Sequence, residues 1–326
     1  MRILPIFIPH LGCPFNCIYC NQKLITKTMQ PDLELIEQQI SEFCNLPDAT
    51  GEIAFFGGTF TALSRKDQQT YFDLVFPYLS MISGIRISTR PDFISQNVLQ
   101  FCAENSVTTI ELGVQSFLDE VLIASGRGYT SEKAIESCQM IKSSSFQLGI
   151  QLMPGLLGFS RISLNTSINK TIELKPDFVR IYPTVILKDT SLHQMYKDGS
   201  YTPLTIDEAI EISAEMKEAF EQNNIKVIKI GLHSDIDFNN IVAGPYHESF
   251  GELVQAEILL HNIINDYSNK TLTISPTDIS LFKGFGGKML LKLKNSVGLD
   301  KIGICIDPGT KKGTFLFTDS QPDYYW

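Results

Sequence analysis

The sequence predicts an α/β protein: a parallel sheet covered by helices, followed by a smaller C-terminal part. Three observations lead there. Seven short apolar runs recur up to about residue 230, and amphipathic stretches lie between them. The runs are also too uniformly apolar for a sheet with one wet face, which points to parallel strands buried on both sides. Parallel crossovers are right-handed, so such a sheet either lies open or curls into a barrel; periodicity alone leaves both readings open.

The candidate strands are Ile3–Pro9, Ile53–Phe56, Ile85–Ser88, Val107–Leu112, Gln147–Leu152, Phe178–Tyr182 and Lys226–Ile230. Between them, Leu33, Ile36, Ile40 and Phe43 repeat at helical spacing, as do Tyr71, Leu74, Val75 and Tyr78. Ala134, Ile135, Cys138 and Ile141 group in the same way, and Ile206, Ile210, Met216 and Phe220 form a looser stripe. The pattern then changes. Gly231–Tyr246 reads as a polar connection and Phe250–Ile264 as a helix. Ser275–Asn295 starts on Ser-Pro and is broken by glycines at Gly284–Gly287; Lys301–Ile306 reads as a strand. A boundary near residue 231 divides a core, 1–230, from an extension, 231–326.

The chain has 326 residues, 43% hydrophobic and 19% charged, so it can bury a sizeable core and is not disordered wholesale. A net charge of −9 argues against a dedicated basic nucleic-acid binder, though not against a local basic patch. Apolar runs fall short of the 18 or so residues a membrane span needs. Met1–Cys13 contains Pro5 and Pro9 and has no small-residue cleavage site, so it does not read as a signal peptide, and a reducing cytoplasm is the expected location. Seven cysteines agree with that. Four are scattered (Cys44, Cys102, Cys138, Cys305) in apolar patterns that suit small buried hydrophobes.

The other three are clustered as Cys13-Pro14-Phe15-Asn16-Cys17-Ile18-Tyr19-Cys20, a C-x3-C-x2-C spacing directly after the first strand. Three thiols in one loop suit one face of a cubane iron–sulfur cluster, one per iron, leaving the fourth iron open to a substrate or cofactor. Two other readings stay open on the residues alone. His10 makes a zinc set of H-x2-C-x3-C-x2-C possible, although no second C-x2-C pair exists to complete the usual two knuckles. The three cysteines could also be accidental core residues.

C-x3-C-x-Φ-C, with Tyr19 as the aromatic Φ, at the end of the first strand of a (β/α) protein resembles the radical S-adenosylmethionine (SAM) superfamily. The resemblance implies a partial (β/α)6 barrel with a smaller C-terminal extension, and a [4Fe-4S] cluster and SAM at the C-terminal mouth of the strands. It implies Cys13, Cys17 and Cys20 as cluster ligands, reductive cleavage of SAM to a 5′-deoxyadenosyl radical, and an electron donor of flavodoxin or ferredoxin type. Further motifs come in order, each at a predicted strand end. Gly57-Gly58-Thr59 is similar to the family's GGE-type motif for the SAM amino group, with Thr59 where an acid is commoner. Ser88 and Arg90 match polar positions for the SAM ribose and carboxylate. Gly113-Val114-Gln115-Ser116 looks like the GVQS segment of oxygen-independent coproporphyrinogen oxidase and its relatives, where the glutamine contacts the ribose. Gly126-Arg127-Gly128-Tyr129-Thr130 is similar to a GRGHT segment whose arginine pairs with the SAM carboxylate, with Tyr129 replacing histidine. Met153, in Leu152-Met153-Pro154-Gly155, matches a segment near the adenine; core packing is its ordinary alternative.

From Ile110 to about Thr202 the closest resemblance is to the radical-SAM half of the Elongator catalytic subunit. The pieces GVQS, RGYT, LMPG, KPDFVRIYPTVILKDTSL and MYKDGSYTPLT carry it. That implies modification of the wobble uridine of tRNA. The expected departures are a missing N-terminal tRNA-binding region, a shorter cysteine spacing and no acetyltransferase domain. The short form, with Gly244-Pro245-Tyr246-His247 through Val254, looks like the stand-alone bacterial proteins of this branch. A small-molecule radical SAM enzyme of the coproporphyrinogen oxidase kind and a non-catalytic zinc- or cluster-stabilised binding protein are the alternatives. Lys283, Lys288, Lys292, Lys294 and Lys301 stand against Asp300 alone within residues 281–301. They read either as a solvated helix face or as a patch that steers a phosphate backbone such as tRNA.

Overall fold

A computed structural model describes residues 2–8, 13, 15–21, 32–46, 51–232, 238–283 and 287–326. His10, Pro14 and most of the Gly284–Gly287 break lie outside those residues. The chain divides into two compact units: Met1–Ala209 with Ala219–Tyr246, and Ile210–Glu218 with His247–Trp326.

All seven apolar runs are strands of the first unit. They are β1 (Arg2–Phe7), β2 (Gly51–Phe56), β3 (Gly84–Thr89), β4 (Val107–Gln115), β5 (Gln147–Leu152), β6 (Phe178–Ile181) and, after the two-residue β7 (Ile186–Leu187), β8 (Lys226–Ile230). The seven pair in parallel in the order β1-β2-β3-β4-β5-β6-β8 and curl into a half-barrel, one strand more than the six the resemblance implied. Helices interleave: α1 (Leu33–Cys44), α2 (Arg65–Val75), α3 (Gln96–Glu104), α4 (Asp119–Ala124), α5 (Ser131–Lys142), α6 (Arg161–Leu174), α7 (Ser191–Lys197) and α8 (Ile206–Gln222). Their starts are locally encoded. Ser64, Ser95 and Thr130 each accept a backbone N–H at a helix N-terminus, and Ser160/Ser163 and Thr205/Glu208 close reciprocal capping boxes.

The strands explain why their runs read as wholly apolar. Alternate residues point to opposite faces. On one face Ile53, Phe55, Ile85, Ile87, Ile110, Leu112, Leu148 and Ile150 are all buried, with Phe55 packed on Phe60, Tyr71 and Phe72. The opposite face is buried as well, yet it is polar. Glu52, Arg86, Thr109, Glu111 and Arg180 lie there, with Glu111 fully enclosed. Arg86 binds Glu52 through Nε (2.9 Å) and Nη2 and reaches Glu111 Oε1 through Nη1 (2.6 Å). Arg180 Nη2 donates to the same Oε1 (3.0 Å), and Thr109 donates to Glu52 Oε1 (2.6 Å). Two carboxylates and two guanidiniums thus neutralise one another inside the half-barrel, which is what burying charge requires.

Two parts of the chain depart from the sequence reading. Gly231–Tyr246 is not wholly a polar connection: β9 (Ile241–Ala243) pairs antiparallel with β7. Strands of two and three residues are too short to show a period. The second unit holds α9 (Phe250–Asn265), β10 (Thr271–Ile274), α10 (Ile279–Lys283), α11 (Lys288–Val297), β11 (Gly303–Ile306), β12 (Phe315–Thr318) and β13 (Tyr324–Tyr325). Its sheet runs β12-β10-β11-β13, of which only β11 was expected. Leu260, Ile263, Leu272, Ile274, Phe282, Leu293 and Ile304 make its core.

Candidate active site

The C-terminal ends of the strands open on a cavity of about 240 Å³. That is the end at which α/β barrels gather their functional loops. All twelve residues singled out in the sequence line it: Cys13, Cys17, Tyr19 and Cys20 from the loop after β1, Gly57, Gly58 and Thr59 after β2, Ser88 and Arg90 at β3, Gln115 and Arg127 from the β4 side, and Met153 after β5.

Local geometry places each group. The cysteine loop is tied down by backbone bonds: Ile18 N–H donates to Ser125 O (3.2 Å), Leu192 N–H to Ile18 O (2.8 Å) and Cys20 N–H to Cys17 O (3.0 Å). Gly57 (φ +93°) and Gly58 (φ +48°) turn the chain sharply off β2, a conformation that a side chain would strain. Gln115 sits at a register shift between β4 and β5 and itself has φ +72°, so a bulge aims it into the cavity. The Oγ1 of Thr59 and the Oε1 of Gln115 are buried without a hydrogen-bond partner among the described residues. Buried polar atoms are normally satisfied, and orphans lining a cavity mark where a polar ligand would bond.

Two guanidiniums converge on Cys17. Arg90 Nη1 lies 3.6 Å and Arg127 Nη1 3.4 Å from its sulfur. Asp92 holds the Arg90 fork from behind with two bonds of 2.9 Å, and Arg90 stacks over Phe15 (4.4 Å). Arg127 donates to Tyr129 Oη through Nε (3.1 Å) and Nη2 (2.9 Å), to Gly113 O through Nη2, and to Tyr19 Oη through Nη1 (3.0 Å). Burial opposes the charge on Arg127, but its contacts with Tyr129, Tyr19 and Cys17 outweigh that and raise its pKa well above the ordinary value. Burial likewise pushes the Tyr19 phenol well up, against the pull of Arg127.

Sequence reasoning missed three contributors. Tyr129, set aside as a departure from histidine, braces Arg127 and donates on to the β4 carbonyls, 2.9 Å from Val114 O. Phe15 fills the space over Gly128 (φ +74°), where an added Cβ would come within 2.4 Å of the ring. The Glu52–Arg86–Glu111–Arg180 network was also missed, although a single charge embedded in each of three apolar runs, and one directly before a fourth, was there to be read. Two of the lysines expected to form one basic patch are engaged by neighbours within the second unit. Lys292 bonds to Glu257 (2.5 Å) and Glu211 (3.0 Å), and Lys283 lies over the rings of Tyr324 (5.2 Å) and Trp326 (5.7 Å).

Residues 7–169 match the radical SAM superfamily, and residues 176–259 match the radical SAM C-terminal domain. The chain belongs to the radical SAM superfamily. Within it the chain is 34% identical over 181 residues to a tRNA uridine(34) acetyltransferase of Methanocaldococcus jannaschii, covering 54% of this chain and 33% of the relative. It is 32% identical over 181 residues to Elongator complex protein 3 of Mus musculus, covering 54% and 32%. The chain thus aligns with about a third of the length of these relatives. Among solved structures, the archaeal Methanocaldococcus infernus Elp3 with an N-terminal deletion superposes with a TM-score of 0.66 at 24% identity, over 80% of this chain and 63% of that one. Coproporphyrinogen III oxidase from Escherichia coli gives 0.52 at 18%, over 78% and 58%. These two likenesses establish the half-barrel fold.

The superfamily implies a [4Fe-4S] cluster and SAM, and the donor set suits them. Three thiols share a cavity with N–H donors aimed at one sulfur, and with two orphaned oxygens. Among the described residues no three His, Cys, Asp or Glu side chains gather as ligands of one metal ion; His10, the fourth ligand of the zinc alternative, lies outside them. A cubane takes one thiolate per iron and does not need the three sulfurs to meet at a point.

Proposed function

We propose that this radical SAM enzyme acts on the wobble uridine of tRNA, with a [4Fe-4S] cluster and SAM in the strand-end cavity. The observation that carries the reading is that cavity, in which three loop cysteines, a glycine turn, two buried arginines and an aimed glutamine meet. Its RNA half rests on the names of the relatives, which are a tRNA uridine(34) acetyltransferase and Elongator proteins.

In this reading Cys13, Cys17 and Cys20 hold the cluster. When bound, cluster and SAM together supply a 5′-deoxyadenosyl radical to a substrate carbon. The protein's own residues position and shield. The glycine turn and Thr59 receive the SAM amino end, and Arg127, braced by Tyr129, presents a fixed fork to a carboxylate. Ser88, Arg90 and Gln115 bond the ribose and carboxylate. Met153 packs beside the adenine, and Phe7, Phe15 and Phe56 keep water from the reacting atoms. Electrons come from a carrier of flavodoxin or ferredoxin type. Lys288, Lys301, Lys311 and Lys312 of the extension are exposed, and in this reading they would contact a phosphate backbone.

Anaerobic reconstitution with iron and sulfide tests the enzyme. A brown protein with about four irons per chain that releases 5′-deoxyadenosine from SAM under reductant is the expected result. A colourless protein holding a single zinc ion would overturn it. Cys17→Ala should abolish both iron and cleavage. Nucleoside profiles of tRNA from cells with and without the gene test the RNA half: a modified uridine should disappear.

A further inference from the structure

The three loop cysteines do not share one environment. Cys13 and Cys20 are partly exposed, whereas Cys17 is buried and receives both guanidiniums of the cavity. Arg127 is built into the wall by its bonds to Tyr129, Tyr19 and the β4 backbone. Arg90 is held in another way, and what holds it leaves one end of its fork for sulfur.

Arg90 directly follows β3 and precedes Pro91, which confines it to extended backbone (φ −94°, ψ +151°). Ser137 Oγ donates to Pro91 O (2.7 Å) and Phe93 N–H to Arg90 O (3.2 Å), so the turn is fixed on both sides. From that turn Nε and Nη2 bind the two carboxylate oxygens of Asp92, and Nη2 also donates to Arg127 O. The guanidinium lies over the rings of Phe15 (4.4 Å) and Tyr129 (5.3 Å). With Nε and Nη2 committed, Nη1 is the end that reaches Cys17 Sγ (3.6 Å). A guanidinium is always charged and only donates, so it meets that sulfur as a cation. The Arg90 side chain is 4% exposed and that of Asp92 18%, so water screens the two charges little.

We propose that Arg90 is a positioning residue that acts through Cys17 to set the reduction potential of the cluster, with Asp92 as its counterweight. The inference rests on the cluster reading above and adds a role beside any bond that Arg90 makes to SAM. The step concerned is uptake of one electron from the external carrier, with no bond made or broken. The reduced cluster with its thiolates carries one more negative charge than the oxidised one. A buried cation bonded to a ligand sulfur therefore favours the reduced form and raises the potential. Asp92, farther out, holds part of that effect back.

The test is a redox titration, followed by electron paramagnetic resonance, of the anaerobically reconstituted full chain without SAM. Arg90→Gln removes the cation and should move the midpoint to more negative potential. At the wild-type midpoint the ratio of reduced to oxidised cluster should fall about tenfold, which is about 59 mV for one electron. Asp92→Asn removes the counter-charge at almost constant shape and leaves Arg90 on the Phe15 and Tyr129 rings and on Arg127 O, so it should move the midpoint to more positive potential. Two shifts of opposite sign are what a merely structural role would not give. Asp92→Asn decides the question even where Arg90→Gln holds no cluster. Either variant titrating with the wild type, or shifting the other way, overturns the inference and leaves the cluster reading standing. A wild type with no reducible cluster overturns the cluster reading and this inference with it.

Discussion

A cysteine's surroundings decide its chemistry more than its identity does. Cys13 and Cys20 are partly exposed on a loop beside the cavity, whereas Cys102 and Cys138 are sealed in the core, where burial pushes both thiols up to about 12. The thiolate is the reactive form, so the two classes separate in one experiment. Iodoacetamide at pH 8 should label Cys13 and Cys20 of the native apoprotein within minutes and leave Cys102 and Cys138 unlabelled until denaturant is added, as read by peptide mass mapping. Rapid labelling of Cys138 would show that its helix is open. At this scale the sequence was informative about place: its spacing grouped the three loop cysteines, and all three line one cavity. It was silent where the role follows from a contact across the sheet. Tyr129 looked like a lost histidine because nothing in the chain's order says that its hydroxyl meets Arg127.

The strands carry a division of labour that their sequences half disclose. Strand existence followed from apolar runs, and all seven were found. Which face was which did not follow, because a buried ionic face and a buried apolar face both exclude water and both belong to a run that reads as hydrophobic. Glu111, on β4, is the junction: it holds Arg86 of β3, Gln151 of β5 and Arg180 of β6. Glu111→Gln would leave two buried guanidiniums short of a counter-charge, and breaking a buried pair costs about 3–5 kcal/mol. Urea unfolding should show a loss of that size. A loss below about 1 kcal/mol would mean that water already reaches the network. The β7–β9 pair and β13 were missed for another reason, their length. β7, β9 and β13 have two or three residues each, less than two periods of anything.

For the molecule as a whole, buried acids set the alkaline limit. Cys102, Cys138, Tyr71, Tyr182 and Tyr201 are all pushed up to about 12 by burial. Each stays protonated in the folded chain while its unfolded counterpart ionises near 8.5 for a thiol and 10 for a phenol. The unfolded state therefore binds fewer protons, and stability falls as pH rises. It should be intact below about pH 8.5 and decline toward pH 12 at up to about 1.4 kcal/mol per pH unit for each thiol. Urea midpoints between pH 8 and 11 would check the slope, and Cys138→Ala should flatten it. Among the described residues no helix is long and apolar enough to cross a membrane.

Helix α8 has its two ends in the first compact unit and its middle, Ile210–Glu218, in the second, where Lys292 grips Glu211. The boundary that composition suggests near residue 231 is therefore not a clean place for scissors. A fragment stopped at Ile230 would keep the helix yet lose the residues that group with its central turns. Its overexpression is expected to give inclusion bodies, whereas co-expressing residues 231–326 in trans should bring part of it back into the lysate.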